Sequence, residues 1–224
     1  MDTPTQQVIK WHLNILPKNT QKAIHYFSTA TWLQNSKWYL AGGTALALQV
    51  GHRSSVDLDF FNMTTRFSEE ELIGHLPKES WKTTILREGT IYGELLKAKA
   101  SFIAYPFFIP KIPYQFYGHI PILSLHDIAV MKIIAISQRG KKRDFLDLFW
   151  YCQHQNHLFD VILRLKSQYP TVTHNYHHIL KSLLYFEDAE KDPMPEIYFK
   201  ATWKEIKGFF QREVPFIARK LLRI

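Results

Sequence analysis

The chain has 224 residues, and 46% apolar with 15% aromatic residues suffice for one large domain or two small ones. Its 28 Lys and Arg against 20 Asp and Glu leave a formal charge of +8, which favours a polyanionic partner such as RNA. The single cysteine, Cys152, excludes an intramolecular disulfide and a multi-cysteine zinc site, and it fits a reducing cytoplasm. We expect no membrane association, because the first residues lack a signal-peptide pattern and no apolar run approaches the ~20 residues that span a bilayer.

Residues 5–34 carry apolar side chains at helical spacing and predict two helices that separate at Leu16-Pro17. We expect them to pack on a sheet as scaffold. The next stretch, residues 38–62, organises the rest of the chain. It predicts an apolar strand, a Gly-Gly turn, an Ala- and Leu-rich helix and a second strand that carries two acids.

Those two acids, Asp57 and Asp59, point the same way if the strand is extended, because side chains two residues apart leave the same face. Paired carboxylates repel each other, and a divalent cation such as Mg²⁺ is the natural counterion. Gly42, Gly43 and Thr44 precede a helix, where glycines admit a ligand and free N–H groups attract phosphate. Each feature alone has a plainer explanation, a tight turn or a solvated strand end. Together they are the layout that phosphoryl transfer needs.

The order and spacing of these residues resemble the motif of the DNA polymerase β superfamily of nucleotidyltransferases. The longer string LAGGTALALQVGHRSSVDLDFF, residues 40–61, resembles the AbiEii/AbiGii-type branch, whose members are toxins of toxin–antitoxin and abortive-infection systems. The resemblance implies an α+β fold, with a polymerase β-like mixed sheet, flanking helices and a C-terminal helical bundle. It also implies Mg²⁺ at Asp57 and Asp59, with the phosphates of a nucleoside triphosphate seated at Gly42, Gly43 and Thr44.

Residues 68–71 form a capping-box pattern that predicts a short helix to about residue 75. Strands are predicted over residues 81–86, 91–97 and 98–105, and the proline-spaced residues 107–121 predict either an extended connection or an edge strand.

In the superfamily a third carboxylate usually lies on a later strand, and the resemblance places it near Ser101, where this chain has no acid. Glu94 is the nearest substitute. Three explanations remain open: a base from elsewhere in the chain, a site that works with two carboxylates, or a weak enzyme.

A second capping box at residues 124–127 begins a helix in which Lys132 is the single charge of a nine-residue apolar run. The capping pattern makes Asp127 a candidate helix cap. A buried ammonium group needs a partner, so Lys132 either reaches the surface or meets an acid or a nucleotide phosphate. Arg139 lies seven residues further on the same helical face, and the two cations could bind one polyphosphate.

The basic run at residues 139–143 is either a solvated loop or a contact for an RNA backbone. Asp144, just after it, is also placed to cap the next helix. However, residues 127–151, DIAVMKIIAISQRGKKRDFLDLFWY, resemble the second signature of the AbiEii-type family. That resemblance implies that Lys132, Arg139 and Asp144, and less directly Asp147, approach the metal site. We expect either Asp144 or a metal-bound hydroxide to activate the acceptor.

Residues 157–184 and 196–224 predict further amphipathic helices. His174, His177 and His178 lack partners at zinc spacing and are expected to be surface residues. We expect a nucleotidyltransferase domain over residues 1–122 and a helical domain over residues 123–224, with the site between them.

The resemblance implies that a nucleoside monophosphate passes from an NTP to an acceptor, and that a cognate antitoxin is a partner. The basic charge adds support for tRNA as the acceptor, while a protein hydroxyl stays open. The alternative is a weak or inactive NTP- or RNA-binding module on the same fold.

Overall fold

The protein is described by a computed structural model that covers residues 10–222. The strands are β1 (Trp38–Ala41), β2 (Leu58–Asn62), β3 (Trp81–Arg87), β4 (Thr90–Leu95), β5 (Ala98–Ala104), β6 (Gln115–Tyr117) and β7 (Ile120–Ile122). The helices are α1 (Lys18–Thr29), α2 (Thr31–Gln34), α3 (Gly42–Val50), α4 (Glu69–Gly74), α5 (Leu125–Arg139), α6 (Lys142–His154), α7 (Leu158–Gln168), α8 (Tyr176–Ser182), α9 (Glu187–Glu190) and α10 (Trp203–Leu222).

The strands form one mixed seven-stranded sheet in the order β3-β4-β5-β2-β1-β7-β6. Strand β2 runs parallel to β5 and antiparallel to β1, and this pairing places Asp59 between Ala41 and Ser101. The sheet with its flanking helices, followed by helices to the C-terminal end of the described chain, confirms the predicted α+β architecture.

Three sequence-based boundaries were wrong for local reasons. The described part of the first predicted helix, residues 10–16, contains only the 3-10 turn Leu13–Ile15, and its start lies outside the described residues. The second predicted helix divides into α1 and α2 because Ala30 is extended. Strand β4 ends at Leu95 because Leu96 and Lys97 adopt positive φ angles, as a tight hairpin requires. Residues 107–121 include the short hairpin of β6 and β7, so the edge-strand alternative was right.

At both predicted capping boxes the serine caps its helix, and the reciprocal bond from the acid side chain is absent among the described residues. The Ser68 hydroxyl accepts from the Glu71 N–H, and the Ser124 hydroxyl accepts from the Asp127 N–H. The Asp127 carboxylate does not cap α5; it accepts from the backbone N–H groups of Lys111 and Ile112 and from the Gln168 amide. Asp127 therefore connects α5 to the loop before β6 and to α7.

A continuous apolar core joins the sheet to the helices. Phe60 and Phe102 stack on neighbouring strands, and the same cluster extends through Ile133 of α5 to Phe145 and Phe210 in α6 and α10. The change from strands to helices falls between Ile122 and Leu125, near the predicted boundary, and the division into two domains stays a prediction. Within residues 10–222, none of the helices has both the length and the apolar character needed to cross a bilayer.

Candidate active site

A cleft of about 610 Å³ lies between the sheet and α5. One end is polar and charged, with Asp57, Asp59 and Arg139 on its walls. The other end is apolar and aromatic, with Phe61, Tyr105 and Met131 among its lining residues. The cleft is of the size and mixed character that small-molecule sites have.

The two predicted carboxylates lie together in the polar end. Asp59 projects from β2, and its Oδ1 accepts a hydrogen bond of 2.7 Å from the Ser101 hydroxyl on β5. Burial raises the pKa of Asp59, the Ser101 hydrogen bond opposes that rise, and the nearby charge of Asp57 adds to it. Asp57 immediately precedes β2, is 28% exposed, and pairs through Oδ2 with Arg143 at 3.2 Å.

Both positions of the Gly-Gly turn require glycine, because a neighbouring side chain lies close to each Cα. Gly42 has a φ of +72°, and a Cβ there would lie 3.1 Å from Oδ2 of Asp59. A Cβ on Gly43 would lie 2.3 Å from Nη2 of Arg53, far inside van der Waals contact. Thr44 is buried, and its hydroxyl donates to the Asp57 carbonyl at 2.5 Å. Thr44 therefore holds the segment before β2, while its hydroxyl is already occupied.

A buried network of charges lies behind the polar end. Asp147 of α6 accepts from Arg53 Nε at 2.6 Å and Nη2 at 2.8 Å, from His52 Nε2 at 2.7 Å, and from Lys132 Nζ at 2.6 Å. Burial alone would raise the pKa of Asp147, but the Arg53 and Lys132 charges outweigh it and hold that pKa well below its usual range. Burial also lowers the pKa of His52, against the pull of Asp147.

Lys132, Arg139 and Asp144 meet in one cluster. Both the Lys132 ammonium and the Arg139 guanidinium bond to Asp144, with distances of 2.8 Å from Nζ and 2.9 Å from Nε. Burial would raise the pKa of Asp144, yet the two cations lower it. Both cations line the cleft, but Lys132 is only 4% exposed and shared by two acids, whereas Arg139 is 49% exposed. Asp144 has no exposed surface.

The basic run divides between structure and site. Lys141 pairs with Asp192 at 3.3 Å, and Lys142 donates to the Asp192 carbonyl and lies over the Trp203 ring. Arg139 and Arg143, the two ends of the run, line the cleft instead. The solvated-loop explanation is wrong for Lys142, which is buried at the start of α6, and the contact with an RNA backbone stays a prediction.

Ser101 occupies the position expected of the third carboxylate, directly opposite Asp59 in the pairing of β2 with β5. Glu94 lies on β4 and also lines the cleft, opposite Lys99 of β5. Because β4 is two strands from β2, the Cα atoms of Glu94 and the Asp57–Asp59 segment are separated by roughly 10 Å or more. Glu94 therefore shares the cleft with Asp57 and Asp59 but lies two strands away from them.

The residues present fit a divalent cation held by two carboxylates. With Oδ1 of Asp59 and Oδ2 of Asp57 hydrogen-bonded to the protein, one oxygen of each carboxylate stays available. The space beside Oδ2 of Asp59 is open because Gly42 has no Cβ. Mg²⁺ typically takes one or two carboxylates and completes its shell with water and substrate phosphates. Among the described residues no group of three or more His, Cys, Asp or Glu could hold a metal.

Sequence reasoning missed Arg53, His52 and Ser55, which lie between the Gly-Gly turn and the acids. Arg53 and Ser55 line the cleft, and the Ser55 hydroxyl lies 2.9 Å from that of Thr44. Their position inside the motif was a signal, but it does not identify partners. The three histidines at 174–178 lie outside the cleft, as expected.

Several known proteins are similar to this chain in sequence or in fold. A protein of Aquifex aeolicus (strain VF5), aq_aa25, is 36% identical over 183 residues, which are 79% of this chain and 86% of that protein. The crystal structure of JHP933 from Helicobacter pylori matches with a TM-score of 0.54 at 18% identity, covering 93% of this chain and 95% of that one. MenT4, a nucleotidyltransferase toxin from Mycobacterium tuberculosis H37Rv, matches with a TM-score of 0.54 at 13% identity, covering 90% and 86%.

The fold is thus that of nucleotidyltransferases, with the carboxylate pair and the Gly-Gly turn together in its cleft. The family described as "Nucleotidyl transferase AbiEii toxin, Type IV TA system" matches residues 31–83 and 100–216. The chain belongs to this AbiEii nucleotidyltransferase toxin family, which confirms the resemblance seen in the sequence.

Proposed function

We propose that the protein is a Mg²⁺-dependent nucleotidyltransferase that moves a nucleoside monophosphate from an NTP to RNA, with tRNA as the acceptor. The observation that carries the proposal is the cleft itself. It brings Asp57 and Asp59, the Gly-Gly turn and two exposed arginines to one end, and an aromatic lining to the other. An NTP has this polarity, with a charged triphosphate and a flat, largely apolar base.

In this proposal the triphosphate lies at the polar end. Asp57 and Asp59 would hold Mg²⁺ here, and the bound ion would supply positive charge beside the phosphates. The backbone at Gly42 and Gly43 contacts the phosphates at the start of α3, where N–H groups are free. Arg139 and Arg143 add positive charge from the opposite wall.

The base lies at the apolar end, against Phe61, Tyr105 and Met131. Aromatic faces bind bases of any sequence, so this end positions the nucleotide without choosing among the four.

The transfer step is an in-line displacement. The acceptor hydroxyl oxygen forms a bond to the α-phosphorus, the bond from that phosphorus to the oxygen bridging to the β-phosphorus breaks, and pyrophosphate leaves with the bonding electrons. We assign the hydroxyl proton to the Glu94 carboxylate, because Glu94 lines the cleft at a distance from the metal ligands. Asp144, one of the two activating groups expected from sequence, acts by orienting Arg139 and Lys132, since both its oxygens are occupied and buried.

The family and the charge of +8 support the biological part of the proposal. We infer a toxin that is neutralised by a cognate antitoxin and that acts in the cytoplasm, where NTP and RNA are found. Wild-type protein should then inhibit growth on expression, and Asp59→Ala should not. Equal growth inhibition by both would contradict the role of the cleft in toxicity.

The direct test incubates the purified chain with Mg²⁺, total cellular RNA and each of four α-³²P-labelled NTPs. We expect label in RNA with the wild type and none with Asp57→Ala/Asp59→Ala. Asp160→Ala, a partly exposed acid on α7 outside the cleft, is the matched control and should label RNA normally.

Two results would redirect the proposal. Label on the protein instead of RNA would make a protein hydroxyl the acceptor. Metal-dependent NTP binding without label from any nucleotide would favour the binding module, for which the Ser101 side chain in the place of an acid is the supporting observation.

A further inference from the structure

A second cavity opens beside the active-site cleft. It has a volume of about 360 Å³ and lies between the C-terminal end of α5 and the region of α8 and α9. Gln138 and Arg139 line both cavities, so the two adjoin at this end of α5. We call the second cavity the side groove; its lining residues are Ile136, Ser137, Gln138, Arg139, Gly140, His178, Lys181, Ser182, Tyr185 and Asp188.

The side groove is lined by two cations, Arg139 and Lys181, and one acid, Asp188. Lys181 is exposed, and no carboxylate of the described residues lies within ion-pair distance of it. Arg139 keeps 49% of its side chain exposed while bonded to Asp144. Asp188, the acid of the groove, has Lys191 at 3.7 Å.

The groove also has an aromatic surface. Tyr185 is 47% exposed, and its hydroxyl donates to Glu187 at 3.1 Å, which orients the ring. Exposed aromatic rings next to basic side chains are the usual means by which proteins bind single-stranded nucleic acid without sequence preference. In the proposed function the NTP occupies the main cleft, so a polymeric acceptor needs its own surface beside the polar end. Arg139 lines both cavities and marks where such a surface adjoins the cleft.

We propose that the side groove binds a single-stranded RNA acceptor, with Lys181 on its phosphates and Tyr185 stacked on a base, so that its 3′-hydroxyl end enters the cleft past Arg139. This inference deepens the proposed function and rests on it for the identity of the reaction. The binding of RNA by the groove can nevertheless be measured without any turnover.

The experiment uses the full chain carrying Asp59→Ala, which removes turnover, and a 5′-fluorescein-labelled 12-nucleotide single-stranded RNA followed by fluorescence anisotropy. Adding Lys181→Glu should weaken binding roughly tenfold and lower the slope of log K against log [KCl] by about 1. Adding Tyr185→Ala should weaken binding roughly five- to hundredfold. Lys166→Glu, the same charge change at an exposed position on α7 outside both cavities, should stay within about twofold.

A second experiment measures steady-state transfer kinetics; activity shows that the variant is folded, and the two KM values distinguish an effect on RNA binding from an effect on NTP binding. With Asp59 intact, Lys181→Glu should raise the KM for RNA and leave the KM for NTP unchanged. If Lys181→Glu and Tyr185→Ala bind the RNA as tightly as their parent, or if the parent does not bind it, the groove assignment is wrong even where label transfer succeeds. Conversely, suppose that RNA binding is weakened by Lys181→Glu and Tyr185→Ala but no label is transferred by the wild type. The side groove would then still be an RNA-binding site, and the proposed function would be contradicted.

Discussion

Gly43→Ala tests whether the buried charge network and the Gly-Gly turn depend on each other. The added Cβ would lie 2.3 Å from Nη2 and 3.3 Å from Cζ of Arg53. A long side chain normally moves aside at little cost. Arg53 cannot, because Nε and Nη2 bond to Asp147 at 2.6 and 2.8 Å and Nη1 bonds to the Ser54 carbonyl at 2.8 Å.

The magnitude follows from the two ways in which the clash can be relieved. Overpacking a dense site costs roughly 1–3 kcal/mol, and losing a hydrogen bond to a charged group costs roughly 1.5–3 kcal/mol. Replacing glycine by alanine within a helix by itself stabilises the folded state by about 0.5–1 kcal/mol. We therefore expect Gly43→Ala to lower the free energy of unfolding by about 1–2 kcal/mol, measured by urea titration.

Gly74→Ala is the matched control, since Gly74 is also helical and a Cβ there would meet nothing within 4 Å. It should be neutral or stabilising by up to ~1 kcal/mol. The cost of Gly43→Ala should largely disappear in an Arg53→Ala background, as a double-mutant cycle would show. Equal stability of the two alanine variants, or an unchanged cost without Arg53, would refute the argument that Arg53 is held in place.

Two further predictions concern the acids around the cleft. Asp147→Asn leaves Arg53 and Lys132 buried without their charge partner. It should lower the free energy of unfolding by roughly 3–5 kcal/mol, measured by urea titration at pH 7. The control Asp188→Asn breaks an exposed pair and should lower it by at most ~1 kcal/mol. The pKa of Asp147 is lower in the folded than in the unfolded chain, so its contribution to the free energy of unfolding is present at neutral pH. That contribution starts to decline near pH ~4 and is lost as the pH falls through the folded pKa. The difference in unfolding free energy between wild type and Asp147→Asn should therefore shrink on acidification, and a constant difference would contradict this account. Glu94→Gln should lower kcat for transfer by a factor of roughly 10²–10⁴ and leave NTP binding unchanged. The control is Glu70→Gln, at an exposed acid on α4, which should leave both kcat and NTP binding unchanged. Transfer at the wild-type rate by Glu94→Gln would exclude Glu94 as the base.

The parts of the site that were predictable are those encoded within a few residues. The Gly-Gly turn and the acids at 57 and 59 share one short unit, so their proximity follows from strand and helix geometry alone. The burial of Lys132 was predictable because it interrupts a helix that is apolar on all sides, and the partner it required turned out to be a pair of acids. The capping boxes at Ser68 and Ser124 are local in the same way.

The pairing of charges could not be predicted, because it joins residues far apart in the chain. Arg53 and Asp147 are separated by 94 positions, and either could have met another partner. The same holds for the basic run, where Asp192 binds Lys141 and Lys142 and leaves the flanking arginines to the cleft.

The sequence by itself determined the class of fold, the position of the carboxylate pair and the turn that faces it, because hydrophobic periodicity and glycine conformation act within a few residues. Only the tertiary structure showed which basic side chains line the cleft and that a second cavity adjoins it. It also showed that Asp144 is fully buried whereas Glu94 lines the cleft. These features depend on how α5, α6 and α8 pack against the sheet, and packing is set by the whole core instead of by any single segment.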